Sequence, residues 1–489
     1  MKGTSSIFFV WILTVLFAAQ AMLGCAINPV TGKQELMFFS EEDEINFGNN
    51  LYPNALWGAE GGGGPYHDER LKAYLGGIVE RTQRVSHRPN LPVSFEIQNS
   101  SVPNAWAIPG HVVITRGLLA ALDNEAEFAF IMGHEMGHVS ARHSARQMSE
   151  GILLGVGLAA AGLALGDTEG SDVILGLSAI GGSLLILKFS REDELEADRL
   201  GVLYMTRLGY DPGEAITAHK NLEKVSDAYL TSMGGDPHER NFFEELLSTH
   251  PRTQIRLNEV GQIIASTPPS RKAGDGIGAS YFRTMTADLR RVNSVYRDYY
   301  DKAVIAFRRG DLVECERYLN RAITAEKYQA PFYSLEGFVL LKRKDYYGAE
   351  RYFNGALSLD RNHQPAIRGL GMIDYFRTNY GDAVRHLRLS LSLYPEDTGA
   401  HYFLGMSYYR TDRYREAIPH LSKVAESRPK HSKVHGVLGI CYERENDLES
   451  AYKAYVKQVE IAPGNDMGGN ARDRIRVLKP KIESIKKKS

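Results

Sequence analysis

Four glycines of this chain, Gly337, Gly371, Gly405 and Gly439, stand 34 residues apart. Ala349, Ala383, Ala417 and Ala451 keep the same step, as do Pro395, Pro429 and Pro463, and Tyr346, Tyr380 and Tyr414. A period of that length holds two helices and their turns and little else. Small residues let the paired helices approach, large ones fill the gaps, and proline ends the second helix. One such pair cannot bury its apolar face alone, so the copies must stack into a curved solenoid with a concave groove. A degenerate first copy fits residues 297–330, with Ala303 and Cys315 at the small positions, which gives about five copies over residues 297–480 before a basic tail at 481–489. Pro419 falls inside a second helix and predicts a kink.

This register resembles the tetratricopeptide repeat, so an all-α solenoid with a protein partner in its groove is expected. The solenoid is less than half of the chain. Of the 489 residues, 43% are hydrophobic and 24% charged, an ordinary globular balance with room for two or three domains. The net charge of −1 hides an asymmetry: residues 1–300 carry 25 Lys and Arg against 35 Asp and Glu, whereas residues 301–489 carry 33 against 24. Complementary halves can dock on each other, or the second half can take acidic partners. No basic, aromatic-laced patch of the kind that binds nucleic acid is present, and nucleic acid is set aside.

Lys2 followed by the apolar stretch Ile7 to Leu23 reads as a signal peptide over residues 1–24. It ends in Met22-Leu23-Gly24-Cys25, which resembles a bacterial lipobox with Met22 where Leu is usual. That resemblance implies lipidation of Cys25, and Ala26 after it implies the outer membrane of a Gram-negative periplasm. The two remaining cysteines, Cys315 and Cys441, sit at packing positions of the repeat and read as buried thiols.

Between the leader and the repeats lies a mixed pattern. Asn28 to Gly32 reads as a turn and Ser40 to Glu44 as a capped, acidic helix start. Leu71 to Val85 has helical periodicity, Val93 to Gln98 alternates as a strand, and Asn104 to Gly110 leads into a second strand, His111 to Thr115. Asp123 to Gln147 reads as a helix. Two Gly-rich apolar stretches, 151–166 and 173–189, are short for a membrane span and read as a buried or membrane-touching hairpin. The fold class that follows is α+β: a mainly helical domain with a small β-sheet over residues 25–266, a linker and connecting helix over 267–296, then the solenoid.

The chemistry is concentrated in His134-Glu135-Met136-Gly137-His138. Residues four apart share a helix face, so both imidazoles can bind one Zn²⁺, while Glu135 beside them can hold a water and take its proton. A tetrahedral zinc then lacks one protein ligand. The run Ser190 to Asp198 offers it: Glu194 and Asp198 share a face, one able to bind metal and the other to orient a histidine, although Glu192 and Glu196 have the same spacing. Gly137 either makes room near the metal or serves helix packing. His143, five residues past His138 and about 140° round the helix, is off the ligand face.

The HExxH motif, the Glu194-x-x-x-Asp198 motif and the preceding Asn104-Ala-x-Ala-x-Pro-Gly segment together resemble the HtpX-like and CAAX-prenyl-protease-like zinc metallopeptidases. The order of signal segment, protease domain and repeats is similar to the periplasmic BepA-like branch. The resemblance implies a zincin-type domain with one zinc per chain on His134, His138 and Glu194, Glu135 as catalytic base and Asp198 supporting a ligand. His250-Pro251-x-x-x-x-Arg256 resembles a late motif of the family; His250 and Arg256 are candidates for stabilising an oxyanion, or for closing the zinc site in a latent state. Asn104, Ala105, Trp106, Ala107, His111, Val112 and Val113 are expected to form an edge on which an extended protein substrate adds as a further strand. The function expected is an exported endopeptidase that removes misfolded or stalled envelope proteins in outer-membrane quality control; the alternative is a repeat-based chaperone or scaffold with a latent protease.

Overall fold

The computed structural model of the chain describes residues 25–58, 63–164, 189–234, 254–268 and 271–486. The leader, most of the second apolar stretch, His238 and His250 lie outside the described residues. Two compact units divide at Asp301 and Lys302.

The first unit begins with a hairpin, β1 (Cys25–Ile27) and β2 (Gln34–Leu36). Its Asn28 turn closes with Gly32 at φ +69°. Next come α1 (Glu41–Gly58), started by the Ser40/Asp43 reciprocal cap, and α2 (Glu69–Val85), capped by Asp68. Strands β3 (Ser94–Gln98), β4 (Ala105–Ile108) and β5 (His111–Thr115) make one sheet in the order β3-β5-β4, parallel between β3 and β5 and antiparallel between β5 and β4. The Pro109-Gly110 turn, with Gly110 at φ +89°, folds β5 back between its neighbours. This corrects the expectation of an open strand over the whole segment. His111, Val112 and Val113 are paired on both sides, so of this segment it is β4 that stands at an edge among the described residues.

The short α3 (Arg116–Leu119) leads to α4 (Glu125–Ser140), the helix of the HExxH, capped by Asn124. Every residue of α4 from Ala126 to Ser140 is buried, because α2, the sheet and two later helices surround it. Then follow α5 (His143–Ala164), α6 (Arg191–Arg207), α7 (Glu214–Ser232), α8 (Gln254–Ser266) and α9 (Ala279–Val295). Helix α9 packs on the first unit: Phe282 meets Phe128, and the Ala126 amide donates to the Ile277 carbonyl. No helix among the described residues is long and apolar enough to cross a membrane.

The second unit is a run of helices. After α10 (Asp301–Arg309) and α11 (Leu312–Ala325), the pairs are α12 (Ala330–Lys342) with α13 (Tyr346–Leu359), α14 (Gln364–Phe376) with α15 (Tyr380–Leu393), α16 (Thr398–Arg410) with α17 (Tyr414–Ser427), and α18 (Val434–Arg444) with α19 (Leu448–Ile461). The turn inside each pair carries one left-handed residue, at Gly310, Lys344, Thr378, Asp412 and Asn446, again 34 apart. The repeating glycines face the large side chain of the second helix: Gly337 lies against Phe353, Gly371 against Leu387 and Gly405 against Leu421. Helix α17 runs on through Pro419. Cys315 and Cys441 are buried free thiols, each pushed up to about 12 by burial. The last helix, α20 (Asp466–Lys486), takes in most of the segment expected as a tail.

Candidate metal centre

Helices α4 and α6 cross so closely that a side chain on the glycines at the contact would press on the facing helix. A Cβ on Gly133 would lie 3.1 Å from Gly201 Cα, and one on Gly137 would lie 3.1 Å from Ala197 Cα. Gly137 is therefore a packing glycine, and the packing it permits brings α6 onto the HExxH face. Ser190 starts α6 with a capping box to Asp193, and the helix phase turns Glu194 and Asp198 inward while Glu192 stays exposed. Of the two carboxylate pairs, Glu194 and Asp198 are the one on the side of α6 that meets α4.

His134, His138 and Glu194 are all buried, and one ligand atom from each lies within 4.8 Å of the others. The two Nε2 atoms are 3.1 Å apart; His134 Nε2 is 3.7 Å from one Glu194 oxygen, and His138 Nε2 is 3.5 Å from the other. Tetrahedral bonds of about 2.0–2.1 Å set donor atoms roughly 3.3 Å apart. The triangle fits such an ion, and its two imidazoles and one carboxylate are a zinc-type donor set.

The far side of each of the three residues is anchored. His134 Nδ1 lies 2.9 Å from Asp198 Oδ1. Arg256, on α8, donates to both Asp198 oxygens at 2.8 and 2.7 Å and lies 2.7 Å from Glu194 Oε2. Burial would raise the Asp198 carboxyl, but the Arg256 guanidinium and hydrogen bonds from His134 and His219 hold it well below the usual carboxylate range. Arg256 itself is raised, since burial is outweighed by Asp198, Glu194 and Glu135. Arg256 thus engages the two carboxylates beside the histidine pair.

Two residues enter that sequence reasoning missed. His219 of α7 brings Nε2 to 3.4 Å from Asp198 Oδ1, and burial lowers its pKa. His143, set aside on helical phase, lies with Nδ1 2.9 Å from His138 Nδ1. Phe189 stacks on the His138 ring at 3.9 Å. No spacing in the sequence marks His219. His143 is brought there by the end of α4 at Ser140.

Helix α4 also packs beside β4. Trp106 and Ile108 pack with Ala55, Val113 and Tyr52, and the Trp106 indole donates to Gln98 Oε1. Ala105 and Ala107 therefore occupy the other face of the strand. Asn104 is buried and ties the strand start to Thr115. His111 stacks on Tyr52 and bonds Ser94 and Asn49, apart from the cluster of His134, His138 and Glu194.

Residues 69–264 match peptidase family M48, and residues 404–466 match the tetratricopeptide repeat. The chain thus carries a domain similar to peptidase family M48, followed by tetratricopeptide repeats. Mitochondrial metalloendopeptidase OMA1 of Arabidopsis thaliana is 34% identical over 178 residues, 36% of this chain and 33% of the relative. The beta-barrel assembly-enhancing protease of Escherichia coli (strain K12) is 31% identical over 202 residues, 39% of this chain and 38% of the relative. The protein of that name from Yersinia pestis is 30% identical over 202 residues, 40% and 39%. The chain thus spans well under half the length of these relatives. Among solved structures, MamA 41-end from Desulfovibrio magneticus RS-1 aligns at 26% identity over 35% of this chain and 97% of that chain, with a TM-score of 0.30.

Proposed function

We propose that this protein is an exported zinc endopeptidase that removes misfolded or stalled envelope proteins, and that its repeats recruit substrates or an assembly machine. Lipidated Cys25 would hold it at the outer membrane from the periplasmic side. The donor triangle of His134, His138 and Glu194 with Glu135 beside it carries the enzymatic part. The names of the Escherichia coli and Yersinia relatives and the repeats support the biological part.

One zinc per chain would be held by those three residues; when bound, it supplies Lewis acidity that makes water nucleophilic near neutral pH and polarises a peptide carbonyl. Glu135, buried in the field of Arg256, accepts the proton of the attacking water and delivers it to the leaving nitrogen. Asp198 fixes the tautomer of His134 by accepting from Nδ1, which leaves the Nε2 lone pair on the ligand side. An extended substrate adds along the free edge of β4, main chain to main chain.

The test is zinc content and peptidase turnover of the purified full chain. Glu135→Gln should keep its zinc and lose turnover by about 10²–10⁴-fold, whereas Glu194→Gln should lose the zinc. Wild-type protein without zinc, or a Glu135→Gln chain as active as wild type, defeats the proposal.

A further inference from the structure

Helix α4 ends abruptly. Arg142 follows it in the left-handed region, at φ +58°, a conformation that costs a branched or long side chain energy and persists only when the surroundings impose it. Here they do. The Arg142 guanidinium donates to Glu44 and to the Phe39 carbonyl, Asn28 Nδ2 donates to the Ala141 carbonyl, and Arg88 binds both Glu44 and the Val139 carbonyl. The turn so held starts α5 at His143 and swings its ring back against the last turn of α4. This is why the phase of a continuous helix misplaces it.

The His143 ring is fully buried, and both of its nitrogens are engaged. Nδ1 faces His138 Nδ1 at 2.9 Å; Nε2 lies 3.2 Å from Glu196 Oε2 and 3.5 Å from Asp193 Oδ1. Only one arrangement of protons serves a ligand at His138. Its Nε2 must present a lone pair to the metal, so the proton of the neutral ring sits on Nδ1 and is donated to His143 Nδ1. His143 then carries its own proton on Nε2 and donates it to Glu196.

Building on the zinc reading above, we propose that His143 and Glu196 are positioning residues: a carboxylate–imidazole relay that fixes the tautomer and ring plane of His138, as Asp198 does for His134. The site thus has two arms of different construction. Asp198 contacts its ligand directly, and Glu196 acts through the interposed His143 ring.

The readout is zinc affinity of the full chain, measured by competition with a chromophoric chelator, beside thermal unfolding of the metal-free protein. His143→Phe, which keeps a buried ring but offers no acceptor, should weaken zinc binding roughly 10–100-fold. His143→Asn, whose Oδ1 can stand where Nδ1 stood, should recover most of the loss. Glu196→Gln should weaken binding by less than about tenfold, since the amide oxygen still accepts. Wild-type affinity in a folded His143→Phe chain overturns the relay. Should that variant not fold, ¹⁵N shifts of the His143 ring in the wild type decide: a protonated Nε2 and bare Nδ1 are expected, and the opposite tautomer overturns it. A wild type that binds no zinc counts against the peptidase reading instead, and the same ring shifts still judge the relay.

Discussion

Gly133 and Gly201 face each other across the crossing of α4 and α6, with Gly201 also within 3.1 Å of the His134 amide nitrogen once a Cβ is placed on it. Their contact sets how far Glu194 stands from the two histidines.

A methyl group at Gly201 would press on the backbone of Phe130 and His134, which cannot step aside without separating the helices. Overpacking of this kind costs about 1–3 kcal/mol, against about 1 kcal/mol that alanine gains over glycine inside a helix. Gly261, in α8, has nothing within 4 Å of its missing Cβ. Denaturant unfolding should therefore show Gly261→Ala stabilised and Gly201→Ala destabilised, with zinc affinity lowered only in the second. Equal stabilisation of both would refute the steric account.

Much of this was legible in the sequence because the informative features are local. The 34-residue step fixed the repeat, and the i,i+4 spacing of His134 and His138 fixed their shared face. What was not legible depends on how helices meet. Glu194 and Glu192 are indistinguishable by period, and only the Gly133–Gly201 crossing chooses between them. His143 was misplaced because the phase argument assumed a helix continuing past Ala141, whereas Glu44, almost 100 residues earlier, holds Arg142 in a left-handed turn. The open edge was misjudged at β5 because strand order in a sheet is a tertiary property that alternation does not report.

The outer edge of β4, which no described strand covers, leads to a prediction at one atom. The two-residue turn closes on the pair Ile108 and His111, so hydrogen-bonded pairs alternate from there and Ala107 turns its N–H away from β5. Proline at 107 would remove that donor without breaking the β4–β5 ladder. A lost main-chain hydrogen bond is worth about 0.5–1.5 kcal/mol, so Ala107→Pro should lower kcat/KM for an extended peptide by up to about tenfold. The melting temperature and zinc content should stay near wild type. Unchanged kcat/KM would mean that substrate does not add at this edge.

Asp301 gives the first unit an unusual pH response. Its carboxyl oxygen Oδ2 is buried with no hydrogen-bond partner among the described residues, and burial, opposed by Arg116 and by a hydrogen bond from Ser101, pushes its pKa up to about 6. Arg116 is itself fully buried over the Tyr296 ring at 3.8 Å and bonded to Asn99 and Ser101. In the unfolded chain Asp301 titrates near its ordinary 3.8. Between that value and about 6 the folded state holds a proton that the unfolded state has lost, so this group's contribution favours folding below pH 4 and fades as pH rises through 6. The full swing is on the order of 3 kcal/mol, two units at about 1.4 kcal/mol each. Asp301→Asn keeps a polar group beside Ser101 and removes the titration. The stability difference between wild type and Asp301→Asn, read by denaturant unfolding at pH 5 and pH 7.5, should therefore shift in favour of the wild type at the lower pH. A difference that does not change between the two would show that Asp301 is ionised in the folded protein throughout that range.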